Sequence, residues 1–376
     1  MDNRLRIKDA DPIKRSPGLA KSPSVAVIIT ALPASGAFFP LDQQLQLADP
    51  HLSERVSHLA VWLSGHVAFA DAAVILEQVG QIHLPATTIW RQTQRWGQAF
   101  QQAEEAAQSH AEQVETRAGV VAGEARTSQR LGVSMDGVMV HLRTEGWKEL
   151  KLGCLFEIVP RERKDDQTQE LVEVGQAQSL SYTAYLGGPE VFGQRLWAEA
   201  KRRHWTQAAD SEVIGDGAVW IWNLAGEHFY DSVPAVDWYH AKSHLVNAAQ
   251  ALWGEGTPNT SRWLKEQETA LFEGQAEAIA DRLRHPAKPP ENPAVTQTEA
   301  GYFETNKRRM EYLDRRMEGW LIGSGMVESG AKQYQMRMTG PGMQWSREGA
   351  ERMIPIRSAI LSNRFDEVWN QAKTHH

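Results

Sequence analysis

The spacing of apolar residues changes near residue 130 and divides the chain into a helical first part and a mixed second part. Before that point, DPHLSERVSHLAVWL and AFADAAVILEQVG repeat apolar residues every three or four positions, which predicts helices. The connection QIHLPA then leads to a longer helical stretch, TTIWRQTQRWGQAFQQAEEAAQSHAEQVE. Two helices joined by a tight turn, with Arg91 and Arg95 on the second, are typical of a helix-turn-helix, although a plain helical bundle fits the same pattern.

Strand patterns begin at Arg130. The segments RLGVSMDGVMVHLR, WKELKLGCLFEIV and SLSYTAYLG predict a three-stranded meander, with the polar stretch PRERKDDQTQELVEVGQAQ between the last two strands. A helix that begins at Pro189 follows, and SEVIGDGAVWIW predicts a further strand. The segment PAVDWYHAKSHLVNAAQALWG begins as a strand and becomes a helix that ends at Gly254. This order of elements predicts a mixed α/β fold.

Two strongly charged helical segments, 261–284 and 299–319, follow and are separated by the proline-rich break HPAKPPENPAV. We interpret them as a helical insertion. After residue 319 the apolar pattern resumes, and Gly340-Pro341-Gly342 separates two further helices. The expected divisions are an irregular or truncated leader (1–38), an all-helical, helix-turn-helix-like DNA-binding domain (39–125), an α/β core (126–255), a helical insertion (256–319) and a C-terminal part of the core with a Glu-bearing helix (320–376).

Composition indicates an ordinary globular protein. The 376 residues include 41% hydrophobic and 23% charged residues, and no apolar run approaches the roughly 18 residues that span a bilayer. The single cysteine, Cys154, excludes an internal disulfide and fits a reducing compartment, so a cytoplasmic protein is expected. The net charge of -7 argues against a surface that binds nucleic acid everywhere. Residues 300–364, however, contain eleven Lys or Arg and seven acidic residues, which is a local charge of +4.

Two Asp-Gly steps interrupt or end apolar runs in the α/β part. Asp136-Gly137 lies within VSMDGVMV, where a lone buried carboxylate is costly unless it is paired or binds a metal. Asp216-Gly217 repeats this arrangement after a second apolar run. A hairpin turn would account for either step alone. Two such steps in one α/β unit are less readily explained as two turns.

Glu328, in GSGMVESGAKQ, supplies a third acid close to a predicted helix start. A single Glu at such a position is commonly a solvated partner of the helix dipole. Together with two strand-borne acids, however, it would offer carboxylate oxygens from several directions, as two Mg²⁺ ions about 4 Å apart require. The three acids therefore suggest metal-assisted phosphoryl transfer on DNA.

A second set of polar residues, Asp237, His240 and His244, is spaced by three and four positions and lies on one face of a predicted helix. That face could hold a metal ion, a hydrogen-bond network or a DNA phosphate. A capped helix with half-buried histidines explains the same pattern. The set also allows a different enzyme, a metal-dependent hydrolase built from Asp216, Asp237, His240 and His244.

Several longer motifs resemble one family. FFPLDQQLQL, GDGAVWIWNLA, DWYHAKSHL and GSGMVESGAKQYQMRMTGPGMQWSREGAERMIPIRS together resemble bacterial insertion-sequence transposases of the Kra type, which are Asp-Asp-Glu enzymes allied to the Mutator-like superfamily. The similarity covers roughly residues 39–361. It implies a ribonuclease H-like core with a mixed sheet and a helical insertion. Relatives commonly have a longer, cysteine-rich leader, so the first DNA-recognition module is expected to be reduced here.

The resemblance also implies roles for individual residues. Asp136, Asp216 and Glu328 would be the catalytic ligands of two Mg²⁺ or Mn²⁺ ions, with Asp237 and His240 as an accompanying motif. DNA contacts are expected from the basic residues of the helical regions, namely Arg91, Arg95, Lys332, Arg337 and Arg347. The expected partners are the terminal repeats of the element, target DNA and further copies of the chain, because two DNA ends must be paired. The alternative to an active enzyme is a catalytically inactive DNA-binding remnant.

Overall fold

A five-stranded mixed sheet with the strand order β3-β2-β1-β4-β5 lies at the centre of the computed structural model, which describes residues 52–118, 127–164 and 171–375. The strands are β1 (Arg130–Leu142), β2 (Gly146–Lys164), β3 (Leu171–Tyr185), β4 (Asp210–Gly215) and β5 (Val233–Val236). The first three are antiparallel, whereas β4 is parallel to β1 and β5 is parallel to β4. The predicted mixed α/β class and the three-stranded meander are confirmed.

Helices precede, connect and follow the strands. Those before the sheet are α1 (Glu54–His66), α2 (Phe69–Gly80) and α3 (Ala86–Ala118), and those between the strands are α4 (Pro189–Arg202) and α5 (Val219–His228). Those after β5 are α6 (Trp238–Trp253), α7 (Pro258–Phe272), α8 (Ala276–Arg284), α9 (Pro293–Asn306), α10 (Tyr312–Met317), α11 (Gly325–Met338), α12 (Arg347–Leu361) and α13 (Phe365–Ala372). The leader expected at 1–38 and the FFPLDQQLQL motif lie outside the described residues.

Side chains of β1 alternate between two hydrophobic layers. Leu131, Val133 and Met135 pack with α4 and α5 on one side, which we call the back face. Val138, Val140 and Leu142 pack on the other side, the front face, with α11 and α12. Cys154 of β2 is fully buried in the front-face layer. The helical insertion has its own core, built from α6 to α10.

Two boundaries differ from the expected ones. The strand predicted over SEVIGDGAVWIW ends at Gly215, and its second half forms helix α5 after a turn in which Gly217 has φ of +107°. The polar stretch between β2 and β3 is not a simple connection, because both strands extend through much of it as a paired ribbon in which Pro160 faces Gly175 and Lys164 faces Leu171.

Buried polar contacts connect the insertion to the sheet. Glu212 of β4 is fully buried, and its Oε2 accepts a 2.5 Å hydrogen bond from Arg315 of α10. Burial raises the pKa of Glu212 to about 7, although the Arg315 charge acts in the opposite direction. The pair therefore holds the insertion against the strand that precedes Asp216.

The N-terminal helices pack on the C-terminal ones. The indole rings of Trp96 in α3 and Trp369 in α13 stack at 3.6 Å, and Phe100 and Phe365 surround them. A β-carbon at Gly97 would lie 2.3 Å from the backbone oxygen of Arg352 in α12, so α3 approaches α12 closely. Residues from Arg55 onward form one compact unit. No helix among the described residues is long and apolar enough to cross a membrane.

Candidate functional site

Asp136 lies within β1, not in a turn. Its backbone pairs with Leu152, and the ladder continues beyond it to Leu142 opposite Gly146. The hairpin-turn interpretation of Asp136-Gly137 is therefore wrong. By alternation with Val138, the Asp136 side chain lies on the front face of the sheet. Its Oδ1 accepts a 2.7 Å hydrogen bond from the Gly137 backbone N–H.

Asp216 follows the end of β4 at the level of Asp136. Ser134 pairs with Ile214 in the parallel ladder between β1 and β4, and each aspartate lies two residues beyond that pair. Neighbouring strands lie about 4.8 Å apart, so the register brings the two acids to one edge of the front face. The Asp216 Oδ1 accepts a 2.8 Å hydrogen bond from the Ala218 N–H, which fixes the carboxylate across the turn.

Glu328 belongs to the first turn of α11, the helix that covers β1 and β2 on the front face. Val327, its neighbour, is buried in the front-face layer. The Glu328 Oε1 lies 3.4 Å from the Ser324 hydroxyl, whose single proton is donated to Asp237 at 2.9 Å. The third acid thus approaches the two aspartates from the helix layer and not from the sheet.

The charges that act on Asp136 include those of the other two acids. Burial raises the pKa of Asp136, and the hydrogen bond from Gly137 opposes that shift. The negative charges of Asp216 and Glu328 raise the pKa further, while His240 lowers it. The structure therefore brings the two predicted aspartates, the predicted glutamate and His240 into one electrostatic environment.

The donor set suits a hard divalent cation, because it consists of carboxylate oxygens. Across residues 52–118, 127–164 and 171–375, no group of three or more His, Cys, Asp or Glu side chains converges as a ready metal cage. The acids share a face and repel one another. A shared cation would draw them together and relieve that repulsion.

Asp237 has a structural role at the start of α6. Its side chain is buried, and Oδ1 accepts a 2.6 Å hydrogen bond from the His240 N–H as a helix cap. Its Oδ2 accepts hydrogen bonds from the Ser324 N–H at 2.6 Å and from the Ser324 hydroxyl at 2.9 Å. The predicted cap is confirmed, whereas of the two histidines expected to be half-buried, His244 is partly buried and His240 is exposed. Asp237 connects the start of α6, through Ser324, to the segment that positions Glu328.

The two histidines of α6 have different surroundings. His240 is exposed, and its ring centroid lies 5.2 Å from that of His244. His244 is partly buried; its Nδ1 lies 2.6 Å from the Glu299 Oε2, and its ring stacks on Tyr302 at 3.5 Å. The sequence did not single out Ser324, Glu299 or Tyr302. Ser324 lies in the GSGMVESGAKQ motif, but the role of each residue depends on packing across 55 or more positions of the chain.

The side chains of the predicted DNA contacts differ in their exposure. Arg91, Arg95 and Lys332 are exposed on α3 and α11. Arg347 is held by the carboxylates of Glu145, at 2.5 and 2.7 Å, and of Glu351, at 3.2 Å.

Arg337 corrects the expectation of a phosphate contact. Only 1% of it is exposed, and its Nε donates a hydrogen bond to the Ser64 carbonyl at 2.5 Å. The guanidinium lies 5.0 Å from the ring centroids of both Phe69 and Trp345. Arg337 is thus a core residue that ties α11 to α1 and presents no exposed group to a phosphate.

Comparison with known proteins adds no family assignment. A scan of protein families finds none that matches the chain, and a search of curated proteins finds no significant match.

Proposed function

We propose that the chain is a DNA transposase of the Asp-Asp-Glu type, which cleaves and rejoins phosphodiester bonds at the ends of an insertion sequence. The observation that carries the proposal is the placement of Asp136, Asp216 and Glu328. Two parallel strands and a covering helix present these acids on one face, where the charges of Asp216 and Glu328 act on Asp136. The motif resemblance selected the same three acids.

The fold is consistent with that assignment. Three antiparallel strands, followed by two parallel strands with helices between them, are the arrangement expected of a ribonuclease H-like core. Helices α7 to α10 separate the strand-borne acids from Glu328 in the chain, as the resemblance implies for a helical insertion. The α/β unit alone does not specify a reaction, so the proposal depends on the acids.

The three acids would hold two divalent ions from different elements of the fold. Asp136 extends from the middle of β1, where the strand pairs with β2, whereas Asp216 is held in a turn by Ala218. Glu328 would complete the site from α11, where its Oε1 lies 3.4 Å from the Ser324 hydroxyl. When bound, such ions lower the pKa of an attacking water or 3′-hydroxyl and stabilise the leaving oxygen.

The hydrolase alternative receives less support. It requires Asp237 as a ligand, yet both oxygens of Asp237 already accept short hydrogen bonds from His240 and Ser324. Recruiting Asp237 would uncap α6 and leave buried donors without acceptors.

The test is a strand-transfer assay. The full chain is incubated with Mg²⁺ or Mn²⁺, linear DNA that carries the ends of its element, and a supercoiled target plasmid. We expect joined products from the wild type. Asp136→Asn, Asp216→Asn and Glu328→Gln should reduce joining to the protein-free level while retaining binding of end DNA.

Asp210→Asn is the matched control, because Asp210 lies at the exposed other end of β4. It should join DNA like the wild type. Joining by any of the three acid variants would contradict the proposal. End binding without joining by the wild type would instead identify an inactive remnant.

A further inference from the structure

The C-terminal end of α9, in the helical insertion, contacts the turn that carries Asp216. The Tyr302 hydroxyl of α9 donates a 3.0 Å hydrogen bond to the backbone carbonyl of Asp216. A β-carbon at Gly217 would lie 2.8 Å from the Tyr302 ring and 3.4 Å from the Asn306 Nδ2, so the turn is in close contact with α9. Burial, followed by the charges of Asp216, Asp237 and Glu299, raises the pKa of Tyr302. The hydroxyl therefore stays protonated and remains a donor.

Tyr302 is itself held by two residues outside the acid cluster. Its ring stacks on His244 of α6 at a centroid distance of 3.5 Å and an interplanar angle of 16°. The His244 Nδ1 lies 2.6 Å from the Oε2 of Glu299, a carboxylate that is only 7% exposed. Glu299 and Tyr302 lie three positions apart on α9, so both face α6. Glu299 thus orients His244, the His244 ring orients Tyr302 by stacking, and the Tyr302 hydroxyl orients the Asp216 backbone.

We propose that Tyr302, held by His244 and Glu299, is a positioning residue for Asp216. This inference rests on the proposed function, since it concerns the metal affinity of the acid site. The Asp216-Gly217 turn contains a glycine with φ of +107° and has little rigidity of its own. Tyr302 fixes its carbonyl and Ala218 fixes its carboxylate, so less ordering is needed when a cation binds.

The first test removes one hydroxyl. Tyr302→Phe keeps the ring that stacks on His244 and deletes only the donor to Asp216. Mn²⁺ binding to the full chain without DNA is measured by electron paramagnetic resonance, together with the melting temperature in EDTA. We expect the Kd for Mn²⁺ to rise about fivefold, as for the loss of one neutral hydrogen bond, with a melting temperature close to that of the wild type.

Tyr312→Phe is the matched control. Tyr312 is a buried tyrosine of the same insertion, and its hydroxyl has no hydrogen-bond partner among the described residues. Its removal should leave the Kd for Mn²⁺ unchanged. Equal Kd values for the Tyr302→Phe and Tyr312→Phe proteins would overturn the positioning role.

The second test examines the support of Tyr302. Glu299→Ala removes the acceptor that holds His244 and should weaken Mn²⁺ binding, whereas Glu299→Gln keeps a hydrogen-bonding group and should restore most of the affinity. Failure of the glutamine variant to bind more tightly than the alanine variant would contradict this chain of contacts.

Asp216→Ala separates the two proposals. If Asp216→Ala loses Mn²⁺ binding and Tyr302→Phe binds like the wild type, the positioning role fails and the metal site stands. If Asp216→Ala binds Mn²⁺ like the wild type, the proposed function fails together with this inference.

Discussion

The surroundings of Asp136 disfavour the ionised form of its carboxyl group. Burial in β1 and the charges of Asp216 and Glu328 raise its pKa, against the opposing effects of Gly137 and His240. A raised pKa in the folded state means that the ionised form is less stable in the folded chain than in the unfolded chain. Without metal, the acid site therefore reduces stability at neutral pH.

Asp136→Asn should stabilise the protein in EDTA, because it removes this charge. We expect a gain on the order of 1 kcal/mol at pH 7, measured by thermal unfolding. The gain should grow as the pH rises through the raised pKa and vanish below about pH 4, where Asp136 is protonated in both states. Added Mg²⁺ should raise the melting temperature of the wild type only. A gain that does not change with pH would contradict the assigned cause.

Substitution of two basic residues of α11 should affect different properties of the protein. Lys332→Ala alters an exposed side chain and should change stability by less than about 0.5 kcal/mol, while weakening DNA binding and its salt dependence. Arg337→Ala removes a buried side chain that donates to Ser64 and packs between two rings, so it should cost about 2–3 kcal/mol. Chemical denaturation and fluorescence anisotropy with end DNA measure the two effects.

The sequence predicted the three acids because each lies in a locally recognisable motif, and their role stays a prediction. The sequence could not show which basic side chains of the C-terminal region are exposed and which are buried. Three of the eleven basic residues between 300 and 364 are buried, namely Arg315, Arg337 and Arg357. A count of charges does not distinguish a guanidinium that faces solvent from one that bonds a carbonyl in the core. The basic surface is therefore smaller than the count indicates.

At the level of elements, periodicity located most strands and helices but failed where both faces of an element are equivalent. The outer part of β2, residues 160–164, is exposed on both faces, so its polar residues show no alternation, whereas the paired part of β3 is partly buried. The run AVWIW after Asp216 is too short and too apolar for its period to separate strand from helix. The positive φ of Gly217 decides the outcome, because it ends β4 and turns the chain into α5.

The contact between β4 and α10 should depend on pH. Burial raises the pKa of Glu212 to about 7, above its usual value, so this group stabilises the fold below about pH 4.5 and its contribution falls as the pH rises towards 7. The Glu212→Gln variant has no ionisable side chain at this position. Its stability relative to the wild type should therefore increase between pH 5 and 8, by on the order of 2 kcal/mol, in urea unfolding.

Glu266→Gln provides the control for that experiment, since Glu266 is exposed on α7 of the same insertion. Its stability relative to the wild type should not vary with pH. A parallel response of the two variants would show that the pH dependence does not come from Glu212.

On the scale of the whole molecule, the helices before the sheet share a core with those after it. Trp96 stacks on Trp369, and Arg337 and Arg357 donate to the carbonyls of Ser64 and Gly65. Sequence analysis separated residues 39–125 as a domain of their own, since no local pattern shows which distant helix will cover an apolar stripe. The helix-turn-helix assignment stays a prediction.

Trp369→Ala should destabilise both ends of this shared core. Removal of a buried indole from the stack with Trp96 should cost about 3–5 kcal/mol. Unfolding followed by circular dichroism and by tryptophan fluorescence should still give one coincident transition. Two separated transitions would show that α1 to α3 fold independently of the sheet.

Cys154 gives the molecule an internal reporter. It is the only thiol of the chain, it lies at the centre of β2 under α11, and burial raises its pKa to about 12. A thiol-specific reagent therefore has one target and reaches it only after the middle of the sheet has opened. The labelling rate of the unmodified protein would time that opening directly, with no engineered probe and no change to the three acids.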